Sequence, residues 1–206
     1  MSSATKSPDF ENEFHFPSFG DLPHEYFSIT RHLSEARRPT AHWCFLAEIA
    51  GSIPSTRPVY RVTDREGFEY LVAFYLQDRT RFPAVREKCT EGYTMCIMYA
   101  VQHTICDGKN GVMVDDERTV KVLPCGLETL FSIRNKVLNN RNVCNTCGSS
   151  AILKCSSCTL NYCNKTCQLK DWNTGPHKSE CKVAQQIVKW TSFNWSRFER
   201  AKLFEI

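Results

Sequence analysis

Residues 144–181 read CNTCGSSAILKCSSCTLNYCNKTCQLKDWNTGPHKSEC, and this stretch decides how the chain is organised. It holds seven of the 12 cysteines, one histidine and few aliphatic side chains. Chains shorter than about 40 residues rarely fold on a hydrophobic core alone. A metal or a set of disulfides must therefore hold this stretch in its folded form.

The candidate ligands fall into four pairs with regular spacing. These are Cys144 and Cys147, Cys155 and Cys158, Cys163 and Cys167, and His177 and Cys181. The first two pairs have the spacing of zinc knuckles, and the last two have the i, i+4 spacing that puts both side chains on one face of a helix. An odd number of cysteines and a histidine ligand argue against disulfides. We predict two Zn²⁺ per chain and folding that depends on the metal.

The whole chain has the length of one ordinary domain plus a small module. It contains 206 residues, of which 42% are hydrophobic, so its bulk is predicted to be globular. No apolar run reaches the ~20 residues of a membrane-spanning helix, and membrane association is not expected. The first 25 residues show no secretory signal. We expect an intracellular protein, in the nucleus or the cytoplasm, where thiols stay reduced.

Residues 39–125 have the alternating pattern of β-strands. In HWCFLAEI the side chains of Trp43, Phe45, Ala47 and Ile49 share one face, and YTMCIMYAVQH alternates in the same way. A hairpin is predicted at TDREG, and a short helix in the segment that contains Pro83. Three strands, a helix and further strands are the order of a five-stranded OB-type barrel. The predicted fold class is α+β, with a small OB-like domain before the cysteine-rich module.

The remaining segments are assigned by composition and spacing. Residues 1–38 are predicted to be a loosely ordered segment, 126–142 a helix and linker, 143–181 the cysteine-rich module, and 182–206 a helical tail. Five cysteines outside the module have no ligand spacing. We predict free, mostly buried thiols at Cys44, Cys89, Cys96, Cys106 and Cys125.

The pattern C-x2-C-x7-C-x2-C-x4-C-x3-C-x9-H-x3-C resembles the MYND-type zinc finger, and YCNKTCQLKDW at 162–172 is similar to its central stretch. The resemblance implies two interleaved sites. One zinc would be held by Cys144, Cys147, Cys163 and Cys167, and the other by Cys155, Cys158, His177 and Cys181. The loop between Cys147 and Cys163 would then carry two ligands of the second zinc, so neither site could form alone.

The resemblance also implies a binding face for proteins. MYND fingers are interaction modules, and several bind short proline-containing peptides beside a helix that presents a Gln and a Trp one turn apart. Gln168 and Trp172 match these positions, and Ser156 matches an edge contact. The alternative is that Trp172 only covers the ligands of the second zinc, and one indole can do both.

These features favour a non-enzymatic adaptor over two alternatives. A fragment of a MYND-containing lysine methyltransferase is the weaker one, because no SET-like motif follows the finger. The other is single-stranded nucleic-acid binding by the OB-like domain through Trp43, Tyr70, Phe74 and Tyr99. Their alternation favours the barrel interior, and seven thiolates offset part of the basic charge of the C-terminal third. Nucleic acid is therefore not an expected partner.

Overall fold

The computed structural model describes residues 9–26, 31–36, 38–105, 108–140 and 142–204. The chain divides into two compact units. We call the described residues of Asp9–Leu127 and Asn194–Ile206 the sheet unit, and Glu128–Phe193 the finger unit. The chain therefore leaves the sheet unit after Leu127 and returns to it at Asn194. Within the described residues, no helix is both long and apolar enough to span a membrane.

The sheet unit is built on a seven-stranded sheet. Its strands are β1 (Cys44–Ser52), β2 (Val59–Asp64), β3 (Glu69–Phe74), β4 (Thr94–Met98), β5 (Gln102–Ile105), β6 (Lys109–Val114) and β7 (Val120–Leu123), in the spatial order β5-β6-β3-β2-β1-β4-β7. The pairing of β3 with β6 is parallel, and the other pairings are antiparallel. The helix α1 (Phe82–Lys88) separates β3 from β4. The predicted α+β class with an OB-like order of strands is confirmed.

The hairpin between β2 and β3 is set by an aspartate and a glycine. The Asp64 carboxylate accepts hydrogen bonds from the backbone N–H groups of Glu66 at 3.0 Å and Phe68 at 3.2 Å. Gly67 has a φ of 84°, a left-handed conformation that is unfavourable for any residue with a Cβ atom. The TDREG sequence therefore encodes the predicted turn.

The core of the sheet unit lies on the face that the alternation predicted. Trp43, Phe45, Ala47 and Ile49 are at most 1% exposed, and Met95 of β4 is fully buried in the same cluster. Each fully buried large apolar side chain stabilises a fold by about 1.5–3 kcal/mol. Hydrophobic burial therefore supplies the stability of this unit.

The N-terminal segment packs more tightly than its composition suggested. Among the described residues of the predicted loose segment, Phe16 and Phe19 are each 2% exposed and Leu22 is 4% exposed. The Phe19 ring stacks on Tyr70 with 3.8 Å between centroids, and its N–H donates to Asp64. These anchors follow no helical or strand period, so the pattern gave no sign of their burial. Residues 1–8, 27–30 and 37 lie outside the described residues.

The finger unit combines three helices with a two-stranded hairpin. The helices are α2 (Leu127–Leu138), whose first residue lies in the sheet unit, α3 (Lys165–Thr174) and α4 (His177–Thr191). The strands β8 (Leu153–Lys154) and β9 (Asn161–Tyr162) pair antiparallel. Lys136 of α2 forms an ion pair with Glu180 of α4 at 2.8 Å.

The predicted helical tail at 182–206 is helical only in its first part. Helix α4 begins inside the cysteine-rich module and ends at Thr191. Trp195, which is 4% exposed, lies in irregular chain of the sheet unit, with its ring 4.7 Å from that of Phe16. Phe198 is also non-helical, and its N–H donates to the carbonyl of Thr40. Packing of these two aromatic side chains outweighs their helix-compatible spacing.

Candidate metal centre

Two turns of the same geometry present the first two cysteine pairs. The N–H of Gly148 donates to the carbonyl of Cys144, and the N–H of Thr159 donates to the carbonyl of Cys155, both at 3.0 Å. Gly148 has a φ of 74° and Thr159 a φ of 63°. The residue after each C-x-x-C pair thus adopts the left-handed conformation that folds the turn back and directs both thiols to one point.

Helix starts present the other two pairs. Asn164 caps α3, and its side chain accepts a hydrogen bond from the N–H of Cys167 at 2.9 Å. Cys163 comes before this cap, so it is not helical as its spacing suggested, yet its Sγ lies 3.5 Å from that of Cys167. His177 and Cys181 both lie on α4, one turn apart.

The first cluster contains four thiols. The Sγ atoms of Cys144, Cys147, Cys163 and Cys167 all lie within 4.8 Å of one another. Cys147 and Cys163 are 3.6 Å apart at sulfur. Disulfide sulfurs would be about 2.05 Å apart, whereas thiolates around one tetrahedral Zn²⁺ with Zn–S bonds of about 2.3 Å are about 3.8 Å apart. The cluster has the dimensions of a zinc site.

The second cluster is buried and mixed in its ligands. Cys155, Cys158, His177 and Cys181 also lie within 4.8 Å of one another, and all four are buried. His177 Nε2 is 3.3 Å from Cys158 Sγ. Burial lowers the pKa of His177, which favours the neutral imidazole that binds metal. The donor set fits a Cys₃His zinc site.

The thiols of the first cluster influence one another's ionisation. Burial by itself raises the pKa of Cys144, but backbone N–H groups of Cys163, Cys147 and Thr146 donate to its sulfur and lower the pKa to about 6. The neighbouring thiols of Cys167 and Cys147 raise the pKa of Cys163 to about 12. Four negative sulfurs this close repel one another, so a cation is required to hold them all as thiolates. Two zinc ions per finger satisfy the chemistry of both clusters, and the two ligand sets are those that the resemblance implied.

The structure also shows a supporting network that the sequence did not predict. Asp171 of α3 is 5% exposed, and its Oδ2 accepts hydrogen bonds from Tyr162 Oη at 2.8 Å and Asn145 Nδ2 at 2.7 Å. These bonds tie α3 to β9 and to the first knuckle. A Cβ on Gly175 would come within 2.4 Å of Asp171 Oδ1, so glycine is required there. The burial of Asp171 could not be predicted from the sequence, because it is one charged residue outside any apolar repeat.

The three predicted partner-binding residues lie at the surface to different degrees. Trp172 is 40% exposed. Its ring contacts the ring of His177 edge to face, with 5.2 Å between the centroids and an interplanar angle of 83°. Gln168 is partly exposed, and its Oε1 accepts a hydrogen bond from Lys165 Nζ at 3.2 Å. Ser156 is exposed. Trp172 therefore covers a zinc ligand and also leaves much of its ring accessible.

The described cysteines outside the finger form no disulfides. Cys44 and Cys96 are buried, and Cys89 and Cys125 are partly buried. None of these four joins a metal-ligating cluster among the described residues. Cys106 lies outside the part of the chain that the structure describes.

Comparison with known proteins agrees with this geometry. Residues 144–181 match the family model described as MYND finger, so the resemblance is confirmed for this segment. Over 50 residues the chain is 38% identical to ubiquitin carboxyl-terminal hydrolase 19 of Arabidopsis thaliana, a match that covers 24% of this chain and 7% of the hydrolase. The chain thus spans only a small fraction of this relative. The finger is a zinc-binding module of a protein-interaction type.

Solved structures resemble part of the chain at low similarity. The Stn1–Ten1 complex of Schizosaccharomyces pombe has a TM-score of 0.32 and 17% identity, covering 43% of this chain and 62% of that one. Pot1pC of the same organism, bound to single-stranded DNA, has a TM-score of 0.31 and 13% identity, covering 45% and 85%. The mitochondrial single-stranded DNA binding protein Rim1 of Saccharomyces cerevisiae has a TM-score of 0.30 and 12% identity, covering 43% and 100%.

These neighbours correct one expectation. Two of their descriptions state single-stranded DNA binding. The prediction that nucleic acid is not a partner is therefore wrong as it stood.

Proposed function

We propose that the protein is a non-enzymatic adaptor whose MYND finger recruits partner proteins through short proline-containing segments. The observation that carries the proposal is that the Trp172 ring is packed on one side and exposed on the other. Its ring is held against the zinc ligand His177 at 5.2 Å, yet 40% of the residue is exposed. A rigid, accessible aromatic ring loses little conformational entropy on binding, and such side chains are frequent hot spots of interfaces.

The distribution of exposed apolar side chains supports the same conclusion. Among the described residues, five of the eight exposed large hydrophobic side chains belong to the finger unit. They are Val143, Ile152, Leu153, Leu169 and Trp172. Exposed apolar surface concentrated on a small module is typical of protein-interaction sites.

A bound segment would use Trp172 for apolar contact and Gln168 for polar contact. The two residues lie one turn apart on α3, and so share one face of the helix. A proline ring would pack on the exposed indole surface, and the amide of Gln168 would exchange its bond with Lys165 for one to the peptide backbone. The proposal places the protein inside the cell, where the ligand cysteines remain thiols.

The test is a peptide array probed with the zinc-loaded full chain, followed by titration of each proline-containing hit. We expect Trp172→Ala to weaken binding by more than tenfold, since loss of a central interface tryptophan costs about 2 kcal/mol or more. Leu203→Ala is the matched control, because Leu203 is 42% exposed and lies in the sheet unit. It should leave the affinity unchanged.

Zinc content decides between the two roles of Trp172. Elemental analysis of Trp172→Ala should still give two zinc ions per chain if the ring contributes mainly to binding. Loss of zinc together with loss of peptide would identify the ring as cover for the ligands and would remove the basis of the proposal.

A further inference from the structure

A basic cavity in the sheet unit is separate from every feature that the adaptor function uses. Its volume is about 410 Å³, and it lies between the loop after β1 and the segment after β3. Its lining consists of Thr56, Arg57, Tyr75, Leu76, Arg79 and Phe82. Two arginines and no carboxylate line it, so the cavity favours an anion.

An aromatic ring, and not a carboxylate, positions the first arginine. The guanidinium carbon of Arg57 lies 3.8 Å from the centroid of the Tyr75 ring, a cation–π contact. Among the described residues, no carboxylate oxygen forms an ion pair with Arg57 or Arg79. The contact holds the guanidinium over the ring without neutralising its charge, which suits it to bind a phosphate.

Neighbouring groups support this charge pattern. Arg86 donates through Nη2 to the backbone carbonyls of Ser55 and Thr56, each at 3.2 Å, and thereby holds the loop that carries Arg57. The Asp78 carboxylate, beside Arg79 in sequence, accepts hydrogen bonds from the N–H and the hydroxyl of Thr80. Asp78 thus serves as a local cap.

The cavity is too large for a phosphate alone, and its polar lining also contains apolar side chains. Leu76 and Phe82 belong to the hydrophobic core, and the part of each side chain that lines the cavity gives it an apolar wall. A volume of about 410 Å³ lies within the range of ligand pockets, roughly 300–1,000 Å³. A nucleotide combines a phosphate with a flat ring that such a lining accepts. A base that is stacked and paired in a duplex must be flipped out before it can enter a pocket, at a cost of a few kcal/mol, so a single strand supplies a base more readily.

We propose that this cavity binds one nucleotide of a single-stranded nucleic acid, with the phosphate on Arg57 and Arg79 and the base against the apolar lining. Tyr75 is a positioning residue for Arg57. The site is independent of the finger's peptide partner, so failure of either proposal leaves the other intact.

Fluorescence anisotropy of a labelled single-stranded oligonucleotide of about 12 nucleotides, at low salt, tests the proposal on the zinc-loaded full chain. We expect Arg57→Gln/Arg79→Gln to weaken binding by at least about tenfold. The slope of log affinity against log salt should fall by about 0.7 for each phosphate that the variant no longer neutralises. Tyr75→Leu keeps both charges and should give an intermediate loss. Hydrogen exchange checks that each variant keeps its sheet.

The matched control is Arg61→Gln/Arg118→Gln. It also removes two positive charges from the sheet unit, but these arginines pair with Glu69 at 3.4 Å and Asp116 at 2.7 Å. It should retain the affinity of the unmodified protein. Equal losses in the two double variants, unchanged affinity in Tyr75→Leu, or no binding by the unmodified protein would overturn the proposal. Tighter binding of a phosphotyrosine peptide to the same arginines would overturn the assignment to nucleic acid.

Discussion

The sheet unit and the cysteine-rich module, residues 144–181, bury different kinds of side chain. In the sheet unit most of the buried residues are aromatic or aliphatic, such as Trp43, Phe45 and Val62. Within residues 144–181, five of the buried residues, Cys144, Cys155, Cys158, His177 and Cys181, are candidate zinc ligands. The sheet unit is thus stabilised by transfer of apolar surface from water, and residues 144–181 by coordination of zinc. The difference shows that one chain can contain two regions that fold by different mechanisms, of which only one depends on zinc.

Removal of zinc should change the stability of residues 144–181 relative to the sheet unit more than any substitution does. Structural zinc binding is worth about 10–16 kcal/mol in small fingers, far more than the few apolar contacts of 144–181 can supply. A chelator should therefore abolish amide protection at 144–181 and leave that of β1 to β4 intact, as measured by hydrogen exchange. Simultaneous loss of protection in both units would mean that they do not fold by separate mechanisms.

The comparison explains what the sequence could and could not reveal. Metal ligands must meet at one point, so the spacing from Cys144 to Cys181 predicted the two clusters. Alternation predicted the buried face of β1 because a strand exposes every second residue to the core. Phe19 and Trp195 pack from irregular segments, and their burial depends on tertiary contacts that no local pattern encodes. The cavity around Arg57 depends in the same way on chain segments that are distant in sequence.

The buried carboxylate of the finger is the next test, because it measures what polar packing adds to coordination. Asp171→Ala would leave Tyr162 and Asn145 without their acceptor. We expect a loss of about 2–3 kcal/mol, the cost of unsatisfied buried polar groups. The measurement is the denaturant midpoint of the finger at saturating zinc.

Asp171→Asn is the matched control for that variant. Its amide retains one acceptor oxygen, so it should lose less stability than the alanine variant. A finger equally stable with alanine would show that zinc alone determines the fold and that the network is dispensable.

The smallest expected effect comes from substitutions that exchange the turn residues of the two knuckles. The first knuckle has glycine in the left-handed conformation, and the second has Thr159 at a φ of 63°. A β-branched residue there costs about 1–2 kcal/mol. Thr159→Gly should therefore stabilise the zinc-loaded finger by about 1 kcal/mol, with glycine's greater freedom in the unfolded chain offsetting part of the gain. Gly148→Thr should destabilise it, and a thermal melt of both variants distinguishes the outcomes.

The most direct test of the account is the zinc count of a protein that lacks half of one site. The loop between Cys147 and Cys163 carries Cys155 and Cys158, so both sites share one piece of chain. Native mass spectrometry of the unmodified protein should show two zinc ions per chain. For Cys155→Ser/Cys158→Ser the interleaved arrangement predicts a main species without zinc, because the first site loses its ordered loop. A main species with one tightly bound zinc would contradict the account and show that the two sites form independently.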